Sequence, residues 1–262
     1  MQNARNVLFV PHGAPTFALN PGAAGAALAH QAQTFATPRA IVVLSPHWET
    51  ALPTVGTGTQ LETIHDFSGF DSRLYDIRYP ATGCPEAAQL VVRALQAQGF
   101  DVRQDPARGL DHGAWVPLRH MFPDADIPVI PLSTQTLDGP AHAYRIGQAL
   151  AALAEHDILF VASGNVTHNL RDYGVARMSG GQTPGYVHSF ADWVHARLLD
   201  KDLDALLDYR QASADGARAH PSEEHFLPLF TAIGAAGPDA QPQAFFRGVS
   251  DYVIAMDGYR FH

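Results

Sequence analysis

The chain has 262 residues, 46% of them hydrophobic, and 17 basic against 26 acidic side chains give it a formal charge of −9. That length carries a full-sized core in one domain, and an acidic balance with no basic cluster argues against a nucleic-acid or anionic-membrane partner. No run approaches the ~20 apolar residues of a bilayer span, the first residues hold no cationic segment or long apolar stretch of an export signal, and the single Cys84 makes no internal disulfide, so a cytoplasmic protein with a structural thiol is expected.

In chain order, Asn6 to Pro11 is an apolar run that reads as a buried strand and delivers His12-Gly13. Pro21 to Phe35 is an Ala-rich helix, and Ala40 to Leu44 is a second strand, followed by Ser45-Pro46-His47-Trp48. Ala51 to Tyr79 is a long aromatic loop around Ile64-His65-Asp66-Phe67-Ser68-Gly69-Phe70, and connections of that length are usually functional. Pro85 to Gln98 is a helix stopped by Gly99; Phe100 to Arg103 and Ile127 to Leu132 read as strands, with a short helix from Trp115 to Met121 between them. Ala141 to Glu155 places Tyr144, Ile146, Leu150 and Leu153 at roughly helical spacing and leads into a strand from Ile158 that ends in Asn165-Val166-Thr167-His168. Tyr173 to Tyr186 holds four glycines and reads either as a mobile cover over a site or as a plain surface excursion. Val187 to Tyr209 and Ser222 to Ala235 are helical, and Ala244 to Phe246 with Tyr252 to Met256 form a closing pair of strands.

Strands alternating with amphipathic helices predict an α/β fold, a single domain whose central sheet is largely parallel or mixed and flanked by helices. In such sheets ligands bind beyond the carboxyl ends of the strands. His12, His47 and His168 each follow a strand there, and imidazole is the commonest protein metal ligand. His30, His120, His142, His156, His188, His195 and His262 stand in no motif and read as surface residues.

The densest polar cluster is His220-Pro221-Ser222-Glu223-Glu224-His225-Phe226-Leu227-Pro228-Leu229. Pro221 suits a first helical turn, Glu223 and Glu224 suit its positive end, and Pro228 is expected to interrupt the ladder. His225 and one Glu then face either a site or the helix start. Asp111-His112-Gly113-Ala114-Trp115 puts another imidazole just before a helix. No Gly-x-Gly-x-x-Gly, no Lys-bearing phosphate loop and no Gly-x-Ser-x-Gly elbow is present, which speaks against nucleotide binding and serine hydrolysis.

Taken together, Pro11-His12-Gly13, Ser45-Pro46-His47-Trp48-Glu49-Thr50, Thr63-Ile64-His65-Asp66-Phe67, Leu74-Tyr75 through Tyr79-Pro80-Ala81, Leu110 to Trp115, Ser163 to Leu170 and Glu224 to Leu229 resemble the class III extradiol ring-cleaving dioxygenases, in their DOPA dioxygenase-like branch. The resemblance runs through almost the whole chain. It implies one catalytic domain over residues 1–262, one divalent metal, Fe(II) for activity, and cleavage of a small catechol by O2 beside its two hydroxyls. By position His12, His47 and His225 match the metal ligands, His168 the acid/base histidine, and His112 a histidine contacting substrate or bound oxygen. Related enzymes use a glutamate as third ligand, which leaves Glu224 as the alternative to His225, and three imidazoles suit Zn(II) as readily as Fe(II). His65 and Trp48 are expected at the substrate, with Phe67, Phe70 and Trp115 as apolar walls or as core.

The expected activity is therefore opening of DOPA or a related dihydroxyphenyl compound to a semialdehyde. The competing readings are a zinc-dependent amide or ester hydrolase with His168 or Glu224 as base, and a non-catalytic metal-binding protein of the same fold. Sequence selects neither an oligomeric state nor, among Arg73, Arg78, Arg171 and Arg247, a partner for a substrate carboxylate.

Overall fold

The computed structural model describes residues 6–262, so the extreme N-terminus read for an export signal lies outside the described residues. The strands are β1 (Val7–Pro11), β2 (Ala40–Glu49), β3 (Thr54–Gly56), β4 (Arg103–Asp105), β5 (Val129–Thr134), β6 (Ile158–Gly164), β7 (Pro242–Phe246), β8 (Val249–Ser250), β9 (Ile254–Ala255) and β10 (Gly258–Phe261). Apolar runs with few polar interruptions make the central ones, β1, β2, β5 and β6, which are buried on both faces, whereas β4 and β7 are exposed or half-exposed. The helices are α1 (Gly22–Ala32), α2 (Pro85–Ala97), α3 (His112–Met121), α4 (Gly139–Leu150), α5 (Leu170–Met178), α6 (Gly185–Leu199), α7 (Leu203–Leu207), α8 (Tyr209–Ala212), α9 (Gly216–Ala219) and α10 (Leu227–Ala236).

Eight strands form one mixed sheet in the order β4-β3-β5-β2-β6-β1-β10-β7, and β8 pairs with β9 in a separate hairpin. The middle four, β5, β2, β6 and β1, run parallel, while β3 joins β5 and β10 joins β1 antiparallel. Alternate side chains of each strand feed opposite layers. Val7, Phe9, Val42, Leu44 and Phe160 pack with residues of α2, α4, α6 and α10, whereas Leu8, Val10, Ile41, Val43 and Val161 pack with α1 and α3. Gly147 of α4 and Gly234 of α10 let these helices touch: a Cβ on either would stand 2.1 Å from a carbonyl oxygen of the other helix. No helix among the described residues is long and apolar enough to cross a membrane.

Several boundaries differ from the sequence reading. The strand expected at Phe100–Arg103 forms at Arg103–Asp105, because Gly99 turns the chain with φ +82° and pairing to β3 starts at Arg103. Much of the supposed glycine-rich cover is helical: Asn169 accepts from the Arg171 N–H and starts α5. Pro221 opens no helix. The helix begins at Leu227, with Pro228 in its first turn, where a missing N–H costs nothing. Glu223 accordingly accepts from the Tyr209 hydroxyl instead of compensating a helix dipole. Tyr252 lies in a turn, and the closing strand of the sheet is β10, antiparallel to β1 and β7.

Candidate metal centre

The carboxyl ends of the parallel strands converge, and β6 is their hub. The backbone N–H of Asn165 donates to the His225 carbonyl at 3.0 Å, while its Oδ1 accepts from the Gly13 N–H at 3.2 Å. That second bond turns Nδ2 of Asn165 toward Nε2 of His12, 3.3 Å away. One residue therefore ties the loop after β1 to the turn before α10. Gly13 takes φ +61°, which swings the chain out of β1 directly after His12. His47 sits in β2 itself, beyond Leu44, where the register with β5 shifts.

His112 opens α3, whose N-cap is Asp111: its carboxylate accepts from the Ala114 N–H at 3.2 Å and from the Ser45 hydroxyl at 2.5 Å, and pairs with Arg108. The next residue, Gly113, has no room for a side chain. A Cβ there would meet Oγ of Ser45 at 2.4 Å and the His47 ring at 2.8 Å.

Hydrogen bonds fix which nitrogen of each ring faces inward. The Ser163 hydroxyl donates to the Gly113 carbonyl, so at 3.0 Å from His12 it must accept the Nδ1 proton, leaving a lone pair on Nε2. His112 donates Nδ1–H to Asp66 at 2.9 Å, and His47 turns its Nδ1 to the same carboxylate oxygen at 3.4 Å. His225 donates Nδ1–H to Glu224 at 3.0 Å. Its Nε2 is buried and has no hydrogen-bond partner, an arrangement that is costly unless a cation completes it.

The rings crowd together. Centroids of His12, His47 and His225 are 5.0 to 5.2 Å apart, His47 and His112 are 4.1 Å apart, and His168 stacks on His225 at 3.4 Å. Ligand atoms of His12, His47 and His112 lie within 4.8 Å of one another, as do those of His168, Glu224 and His225. Nε2 of His47 is 3.3 Å from Nε2 of His12.

Burial, reinforced by mutual repulsion, disfavours protonation of His12, His47, His168 and His225. It lowers His12 and His225 well below the ordinary value, and with the His112 charge it brings His47 to about 4. His168 also falls to about 4, from burial and then the charges of His47 and His112. Burial alone would raise Asp66, but the hydrogen bonds and charge of His112 outweigh it and hold the carboxyl at about 2. Neutral imidazoles carry lone pairs that can serve a metal, that of His12 lying 3.3 Å from the Asn165 Nδ2, and anionic Asp66 keeps His47 and His112 oriented. This donor set fits a divalent metal.

The imidazoles open into a cavity of about 380 Å³ lined by all five of these histidines and by Phe67, Phe70, Leu170, Tyr173, Asp251 and Ile254. His65 and Trp48, expected at the substrate, are not on this wall. His65 bonds to the Ile77 carbonyl at 3.1 Å, and Trp48 is buried under the Arg108 guanidinium. Trp115 belongs to the core, its indole N–H donating to the Ile64 carbonyl. Asp66, Ser163, Asn165 and Asp251 were missed as site residues. Asp66 carried a signal, being the one carboxylate within Ile64 to Phe70 at the centre of the long loop, and Ser163 and Asn165 lay inside a quoted motif; Asp251 carried none.

The family description "catalytic LigB subunit of aromatic ring-opening dioxygenase" matches residues 24–259. A Beta vulgaris protein named 4,5-DOPA dioxygenase extradiol is 37% identical over 264 residues, covering 99% of this chain and 97% of the relative. An Escherichia coli K12 protein of the same name is 39% identical over 236 residues, 87% of this chain and 84% of the relative. A crystal structure of an uncharacterized Escherichia coli K12 protein superposes with a TM-score of 0.78 at 29% identity, covering 97% of this chain and 98% of the other.

Proposed function

The chain belongs to the family of catalytic LigB subunits of aromatic ring-opening dioxygenases and is an extradiol ring-cleavage dioxygenase, and from that premise we propose that residues 1–262 form one catalytic domain that uses O2 to open a small catechol, DOPA or a related dihydroxyphenyl compound, to a semialdehyde. The observation that carries the reading is the set of inward-facing Nε2 atoms, above all the buried, unpartnered Nε2 of His225.

On this reading His12, His47 and His225 hold one divalent metal. When bound, Fe(II) would supply the redox chemistry through which a catechol and O2 react. Ser163 and Glu224 hold the His12 and His225 rings by their Nδ1 protons, and Asp66 faces Nδ1 of His47 at 3.4 Å, so that Nε2 of each ring is turned inward. Glu224 thus serves His225 and does not replace it.

His168, neutral at neutral pH, has an acceptor nitrogen for the catechol proton that must leave, and it returns that proton later as general acid. The sequence reading made His112 an N–H donor to oxygen. Its Nδ1–H is committed to Asp66, so the nitrogen left for the cavity is Nε2. Phe67, Phe70, Leu170 and Ile254 exclude water around a flat ring. A cytoplasmic location completes the reading, with which the single free Cys84 thiol is compatible.

The test is anaerobic loading with Fe(II), then catechol and air-saturated buffer. The expected result is one O2 consumed per ring and a yellow ring-fission product. Hydrolysis of esters or amides by the Zn(II) form in oxygen-free buffer, with no oxygen uptake by the Fe(II) form, would overturn the reading.

A further inference from the structure

We propose that Asp251 reads a positive charge on the substrate, so that the site selects catechols whose side arm carries an ammonium group and gives no reward for a carboxylate. The proposal rests on the catechol reading of the same cavity.

Apart from the histidines, Asp251 is the only residue with a formal charge at neutral pH among the described residues lining the cavity, and no Lys or Arg is there. The arginines considered for a substrate carboxylate are engaged or outside. Arg73 pairs with Asp71, Arg78 donates to the Tyr75 and Ile77 carbonyls, Arg247 spans Asp192 and Asp257, and Arg171 is exposed on α5. An anionic arm would meet a carboxylate in a mostly apolar cavity; a cationic arm would meet its counterion there.

Asp251 is also built into place. It follows β8 in the β8–β9 hairpin, where Ser250 pairs with Ile254. The Ser250 hydroxyl donates to Oδ2 at 2.8 Å, and Oδ1 has no partner among the described residues. Asp251 and Tyr252 take φ +48° and +62°, a region a short polar Asp tolerates and a Tyr rarely enters. Such strain persists only where surrounding bonds enforce it.

Here Thr167 enforces it, its hydroxyl accepting from the Ala255 N–H at 2.7 Å and donating to the Val253 carbonyl at 2.8 Å. Thr167 adjoins His168, so the wall bearing the carboxylate is fastened to the wall bearing the acid/base histidine. Tyr173 lines the same cavity and adds an aromatic face that favours a cation.

The test uses the full chain loaded with redox-inert Zn(II) and titrated calorimetrically under argon with dopamine, the neutral 4-ethylcatechol and 3-(3,4-dihydroxyphenyl)propionate. Dopamine is expected to bind about tenfold tighter than the neutral compound, as a charge-assisted hydrogen bond supplies, and the propionate weaker than both. In Asp251→Asn, whose side chain suits the left-handed backbone, the preference should collapse to within about twofold. Equal binding of the three by the native protein, or a preference that survives the substitution, would overturn the proposal. A preference intact beside an Fe(II) form that cleaves no catechol would uphold charge selection while refuting the proposed function.

Discussion

Asp66 grips His112 twice, taking its backbone N–H on Oδ1 at 2.8 Å and its Nδ1–H on Oδ2 at 2.9 Å, and the same Oδ2 faces Nδ1 of His47 at 3.4 Å. One carboxylate from the long loop thus sets the orientation of two imidazoles from different elements. Asp66→Asn keeps the shape but offers His47 and His112 a poorer acceptor. Metal affinity should fall about 10- to 100-fold, read by competition of the Zn(II) form with a chromophoric chelator; unchanged affinity would remove Asp66 from the support of the site.

The division of labour between His12 and His168 is testable by metal content. His12→Ala should purify without stoichiometric metal. His168→Gln should keep it while kcat falls about 10²- to 10⁴-fold, the usual range for loss of a general acid/base. Elemental analysis beside oxygen-uptake kinetics checks both, and an empty His168→Gln protein would make His168 a ligand.

Gly113→Ala probes the floor of the site. The added Cβ overlaps Oγ of Ser45 and the His47 ring, so His47 must move. The change should cost about 1–3 kcal/mol of stability, as overpacking generally does, and weaken metal binding. Thermal unfolding of metal-free and Zn(II)-loaded protein should show the loaded form losing more, because on the proposed reading the displaced ring is a ligand.

Acid should destabilise the metal-free protein early. His12, His47, His168, His220 and His225 all lie below the ordinary 6.5, burial being the main cause, with His47 and His168 at about 4 and His220 at about 3. Between those values and 6.5 the unfolded chain binds more protons than the folded one. Their contribution is therefore complete above pH 6.5 and is lost as pH falls through the window toward 4 and below. Urea midpoints at pH 7.5, 6 and 5 should decline steadily. His220→Gln, which retains a donor for the Val166 carbonyl, should show a shallower decline; an unchanged slope would mean His220 is not neutral when folded.

Much of this molecule was legible beforehand because its strands are buried on both sides. Runs such as Ile41 to Leu44 and Ile158 to Ala162 admit little but a central strand, and the imidazoles at their ends follow from the chain direction. His12, His47, His112, His168 and His225 do meet around one cavity.

What stayed hidden depends on contacts between distant segments. Nothing near Asn165 announces that its amide joins Gly13 to His225, and nothing in Ser250-Asp251 says that a hairpin carries a carboxylate to the cavity. Pro221 read as the first helical turn and Pro228 as an interruption, yet α10 starts at Leu227 with Pro228 in its first turn and Leu227, Leu229 and Phe230 buried. His65 and Asp66 are neighbours in an irregular loop, where sequence adjacency does not tell which side chain points to the site.

The hub at β6 has a consequence for the order of assembly. During translation His12, His47, His112 and Asn165 emerge well before His225, and Asn165 finds its carbonyl partner only when that last segment arrives. A growing chain therefore offers an open, incomplete chelator for most of its synthesis. On the proposed ligand set, ion capture in the mature geometry waits until the segment around His225 has been made and has met Asn165.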